Sequence, residues 1–90
     1  MKFKLLVRQV EISDLSIQCP FLPENSDYQI ALDRILEDIK NRPSCKSAEL
    51  EGNTIFVDSS LESDAELKKD LKDTFSEHFC FVRYAGVEKL

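Results

Sequence analysis

The segment YQIALDRILEDIK, residues 28–40, constrains the fold more than any other stretch of the chain. At about 100° per residue, Tyr28, Ala31, Leu32, Ile35, Leu36 and Ile39 fall on one broad face, and Ile30 falls outside it. A face of that breadth belongs against a core. Ser26 and Gln29 have the S-x-x-Q spacing of a capping box at its start. Asn41 is a candidate C-terminal cap, and Pro43 cannot continue the helix.

The surroundings read as strands. Phe3, Leu5 and Val7 alternate with Lys4 and Leu6; the alternation slips at Arg8–Gln9 and resumes at Val10 and Ile12, as in a bulged or long edge strand. Leu15, Ile17, Cys19 and Phe21 alternate again. Residues 14–21 are therefore either a second strand paired back on the first or the continuation of one twisted strand. The prolines of CPFLPEN then end regular structure. KSAELEGNTIFVDSS reads as a hairpin turning at EGN, with β-branched and aromatic residues in its return strand. Ser63 and Glu66 form a second capping box, opening a helix that runs to about His78. FCFVRY, residues 79–84, reads as a last strand that Gly86 ends.

Residues 1–90 are thus expected to form a single α+β domain. Taking the first segment as one strand gives β-α-β-β-α-β, a ferredoxin-like sandwich. The expected sheet is antiparallel, with four to five strands and two helices on one face.

The chain carries 17 acids against 12 bases, a net charge of −5. Proteins that track phosphates usually carry the opposite excess, so direct nucleic-acid binding is disfavoured and a basic protein partner favoured. Only two glycines are present, which argues against phosphate-cradling Gly-rich loops. No run approaches the ~18 apolar residues of a membrane helix, and the charged start does not read as a signal peptide. Cys19, Cys45 and Cys80 are odd in number and form no C-x-x-C pair, so reduced thiols in a cytoplasmic setting are expected.

Two patterns are candidate sites. Glu62, Glu66, Asp70, Asp73 and Glu77 fall within roughly an 80° arc of the second helix, a stripe spanning about 20 Å. Lys68, Lys69 and Lys72 flank it. The stripe suits a basic groove, although a solvated helix face has the same look. Residues 79–84 are similar to the core of the RNP1 motif of RNA-recognition domains. That resemblance implies base contacts for Phe79, Phe81 and Tyr84. The segment differs in following a helix and in being preceded by Glu77–His78. Alternation places Phe79, Phe81 and Arg83 on one side and Cys80, Val82 and Tyr84 on the other. A core strand has the same composition, with Cys80 as a small buried hydrophobe.

Other chemistry has less support. His78 suits a helix C-terminus, where an imidazolium meets free carbonyls. With Cys80, Cys19 and Cys45 it supplies only one close ligand pair, where structural zinc sites present two. A Cys80–His78 nucleophile pair is chemically conceivable, but no catalytic motif accompanies it and no cofactor is implied. Lys2, Lys4, Arg8 and Arg83 would form a small basic patch if the first and last strands are neighbours. Lysines on an edge strand also discourage aggregation.

The expected function is a non-enzymatic protein-binding module that docks residues 62–77 on a basic partner, acting as a stoichiometric inhibitor or nucleic-acid mimic. Small acidic single-domain chains of this type resemble phage-encoded inhibitors of host defence. The alternative is a nucleic-acid or small-ligand binder using Phe81, Arg83 and Tyr84 on an open sheet face. Self-association is left open by the sequence; Ile30, off the core face of its helix, is the exposed apolar residue that would serve it.

Overall fold

The computed structural model describes residues 1–90. β1 (Lys2–Gln9) lies inside a four-stranded antiparallel sheet, flanked by β3 (Thr54–Ser59) and β4 (Val82–Lys89). β2 (Cys45–Glu51) pairs with β3 through a two-residue turn in which Gly52 takes φ +62°, a conformation that favours glycine. The strand order is β2-β3-β1-β4.

Burial follows the pleat. Phe3, Leu5 and Val7 of β1 and Ile55 and Val57 of β3 are buried on one face. There they join Tyr28, Ala31, Leu32, Ile35 and Ile39 of α1 (Asn25–Lys40) in a single core. The same core takes Leu67 from α2 (Asp64–Asp70) and Leu71 from the junction before α3 (Lys72–Glu77), so the helices cover one face of the sheet. Ile30 is exposed, as its place on the wheel requires.

Several expectations need correction. The sheet has four strands, and residues 14–21 form none of them. The reason lies in β1, whose two sides are occupied by β3 and β4, leaving no edge for a further strand. For the same reason the lysines of β1 do not protect an edge. α1 begins at Asn25 with Glu24 as its N-cap and no side-chain capping bond, so Ser26 and Gln29 lie inside the helix. Ser63 does cap α2, its Oγ accepting the Glu66 N–H at 3.2 Å.

The second helical segment is two helices, which makes three in all. Its axis breaks at Leu71 (φ −94°, ψ 2°), beside polar contacts from distant residues. Ser44 Oγ donates to Asp70 at 2.8 Å, and an Arg42 nitrogen lies 3.8 Å from the same carboxylate. Arg42 also donates to the buried Thr74 hydroxyl at 2.6 Å. The last strand begins at Val82, because residues 79–81 form a tight turn. There the His78 carbonyl accepts both the Phe81 and Val82 N–H groups at 2.9 Å. Gly86 pairs with Leu6, and the strand continues to Lys89 past a register shift.

Candidate docking surface

The connection from β1 to α1, residues 10–24, is long for a small domain and almost without regular structure. Connections of that length usually carry function or disorder. This one is held in place at three points. Arg8 grips Asp14 with both terminal nitrogens, at 2.6 and 3.1 Å. Gln9 Nε2 donates to the Pro23 carbonyl at 3.0 Å. Cys19 and Cys80 form a disulfide. Between these anchors a short 3-10 turn at Ile12–Asp14 is closed by the Glu11 N–H donating to Asp14 at 2.9 Å. Guanidinium hydrogen bonds, reinforced by the Glu11 N–H, hold the Asp14 carboxyl well below the usual carboxylate range.

The disulfide corrects the expectation of three reduced thiols. Only Cys45 remains free, its thiol pushed up chiefly by burial and then by the nearby Asp58 charge. The argument for a cytoplasmic setting loses its premise, since persistent disulfides belong mainly to oxidising compartments. No helix is long and apolar enough to cross a membrane. The sulfurs of Cys19 and Cys80 are joined to each other, so neither is a nucleophile or a zinc ligand in this state. No three His, Cys, Asp or Glu side chains converge on a common metal position.

What the anchored loop presents is apolar. Ile17 is fully exposed, Phe21 is 82% exposed and Ile12 is 73% exposed. Ile12 and Leu22 line one shallow cleft with Val10 and Pro23. Phe81 is exposed too, next to the cysteine that ties the turn to the loop. Ile12, Ile17, Phe21 and Leu22 all fall within one short loop, where single exposed apolar residues would be ordinary and several together point to an interaction surface.

The charges carried by the segment itself have one sign. Residues 9–33 contain Glu11, Asp14, Glu24, Asp27 and Asp33 and no lysine or arginine. Those five acids equal the net charge of the whole chain, −5. Asp14 is paired with Arg8, and the other four enter no ion pair. A cleft between α1 and α3 adds Asp33, Glu37, Asp38 and Glu77, with Arg34 and His78 as its only bases.

The expected acidic stripe is not one continuous row. Glu62 precedes the helix, Glu66 is exposed on α2, and Asp73 and Glu77 are exposed on α3 beyond the break. Asp70 is half-buried and engaged by Ser44 and Arg42. Nor do Phe81, Arg83 and Tyr84 share an open sheet face. Phe81 lies in the turn. Arg83 is paired across the sheet with Arg8 and stacks on Phe79, its guanidinium carbon 5.2 Å from the ring centre. Tyr84 faces the helices, meeting Phe75 edge to face at 5.7 Å. β1 and β4 are neighbours, so Arg8 and Arg83 do come together, but both are turned to holding the loop: Arg83 donates to the Asp14 carbonyl at 3.5 Å.

The loop surface escaped the sequence reading because the alternation of Leu15, Ile17, Cys19 and Phe21 resembles a strand. The available signal was the run without bases between Arg8 and Arg34. No protein-family model matches the chain, and comparisons with curated proteins and with solved structures find no similar protein.

Proposed function

We propose that the protein is a non-enzymatic binding module that docks the anchored loop, residues 10–24, on a basic protein partner and acts stoichiometrically. The carrying observation is the exposure of Ile17, Phe21 and Ile12 on a covalently tied segment without bases. Three anchors hold the loop before any partner arrives, so association pays little ordering entropy. The apolar side chains supply affinity, and the acids around them select a basic rim. Glu77 shares a cleft with Asp33, Glu37 and Asp38, and with the exposed Glu66 and Asp73 it keeps the helix stripe as a contributor to partner choice.

Charge argues against two other occupants. An anionic bilayer would be repelled by a segment whose own charges are all acidic, and Arg8, which touches it, is already paired with Asp14. A second copy would set like charges against one another. The interleaving of β1–α1–β2 with β3–α2–α3–β4 in the order β2-β3-β1-β4 supports a ferredoxin-like reading of the scaffold.

The test is a pull-down from source-cell lysate at low and high salt, with wild type and the double variant Ile17→Ser/Phe21→Ser as baits. Binding of the identified partner is then titrated with purified components. Burying each side chain is worth about 1.5–3 kcal/mol, so the double variant should lose at least about a hundredfold in affinity while keeping its circular dichroism. A basic partner retained by wild type, lost by the variant and weakened by salt supports the reading. Equal retention by both baits sinks it.

A further inference from the structure

On the side of β4 that faces the helices, α2 and α3 leave a cleft of about 620 Å³. This is within the range of small-molecule pockets. Its apolar walls come from Leu71, Phe75, Phe79, Val82 and Tyr84. Lys68, Lys69, Lys72 and Arg83 line it as well, and no acid does. In an acidic protein, three lysines around one aromatic cleft, with Arg83 at its margin engaged by the loop, are a local inversion of charge.

The lysines have acidic neighbours one helical turn away, Asp64 for Lys68 and Asp73 for Lys69, yet none of the three enters an ion pair. Lys68 instead sits 5.3 Å from the centre of the Tyr84 ring. Arg83 is fixed by stacking on Phe79, and its Nε is enclosed without an acceptor. The break at Leu71 leaves Lys69 and Lys72 on either side of the junction, both bordering the cleft. Burial pushes the Tyr84 hydroxyl up, and the nearby Asp64 charge adds to that.

We propose that this cleft binds a small anion with a flat aromatic body, the ring lying on the apolar walls and the anionic group meeting Lys69 and Lys72. The site shares no residue with residues 10–24 of the loop surface. The cations are too few and too local to hold a nucleic-acid backbone across a molecule that is acidic elsewhere. A single charged group matches them, and a planar body matches walls built from Phe75, Phe79 and Tyr84.

The experiment is calorimetric titration with 1-naphthyl phosphate, using inorganic phosphate and 1-naphthol as the charge-only and ring-only controls. Wild type should bind one equivalent of 1-naphthyl phosphate, with both controls at least about tenfold weaker. Lys69→Glu/Lys72→Glu should weaken binding by about tenfold or more, and Lys69→Gln/Lys72→Gln by less. Both lysines are exposed and unpaired, so these variants keep the fold. The loop variant Ile17→Ser/Phe21→Ser should bind as wild type does. Absence of saturable binding, equal binding of 1-naphthol, indifference to the lysine changes, or loss in the loop variant would each overturn the proposal.

Discussion

Replacing Cys19 and Cys80 by alanine tests the tie on which the loop surface depends. The cysteines are 61 positions apart. The chain-entropy relation for a closed loop of that length gives a stabilisation of about 4 kcal/mol, exerted through the unfolded state. A chain of 90 residues has a total stability of about 5–13 kcal/mol, so the bond supplies a large share of it. Equilibrium urea unfolding of wild type and Cys19→Ala/Cys80→Ala should differ by about 4 kcal/mol, and the melting temperature should fall by about 15–30 °C. A thiol titration of denatured, unreduced protein accompanies it and should count one thiol, that of Cys45. Three thiols would refute the covalent tie and leave the loop's pre-ordering to Arg8, Gln9 and Arg83, and a stability difference below about 1 kcal/mol would refute the loop-closure reasoning.

Three further outcomes are expected. Ile35→Ala, at a fully buried position where α1 meets the sheet, should cost about 2–5 kcal/mol in urea unfolding, and a smaller loss would place Ile35 outside the core. The depressed pKa of Asp14 means that its contribution is fully present above the unfolded aspartate value of about 3.9 and is lost as pH falls through the lower folded value. Amide protection in residues 10–24 should therefore hold from pH 7 to about 5, decline below about 4, and lose that step in Asp14→Asn; a step near neutrality would assign it to another group. Cys45, its thiol pushed up by burial, should react with iodoacetamide at pH 7 more slowly than free cysteine, and an equal rate would show an open, ionised thiol.

What the sequence made legible was local. The α1 face, the turn at Gly52 and the Ser63 cap follow from spacings of a few residues, and each is present. What it concealed depends on distant partners. Alternation over residues 14–21 says that a strand is affordable there, but pairing needs a free neighbour, and β3 and β4 occupy both sides of β1. The spacing of acids over residues 62–77 is regular, but Ser44 and Arg42 engage Asp70 next to the break. Cysteine count cannot give connectivity. The aromatic cleft was hidden for a related reason: Lys68, Lys69 and Lys72 look like flanks of an acidic stripe until Phe75 and Tyr84 are seen to meet beside them.

The segment FCFVRY shows how far a face assignment can go within six residues. Alternation correctly separates Val82 and Tyr84 from Arg83, because those three are in the strand. It fails one step earlier, where the His78 carbonyl closes a turn and the period of two no longer applies. There each side chain takes a separate direction. Phe79 lines the aromatic cleft, Cys80 ties down the loop, and Phe81 stands exposed beside it. Three consecutive residues thus join the cleft, the covalent tie and the apolar surface. Arg83 stacks on Phe79 and also donates to the loop at Asp14, giving a second link between the same parts. The turn is therefore where a perturbation of one region would first be felt in the other. Chemical shifts of Phe79 and Tyr84 in Cys19→Ala, whose substitution lies wholly on the loop side, measure that directly. Movement at Phe79 without movement at Tyr84 would confine the coupling to the turn, and movement at neither would show that the cleft and the loop surface are mechanically separate.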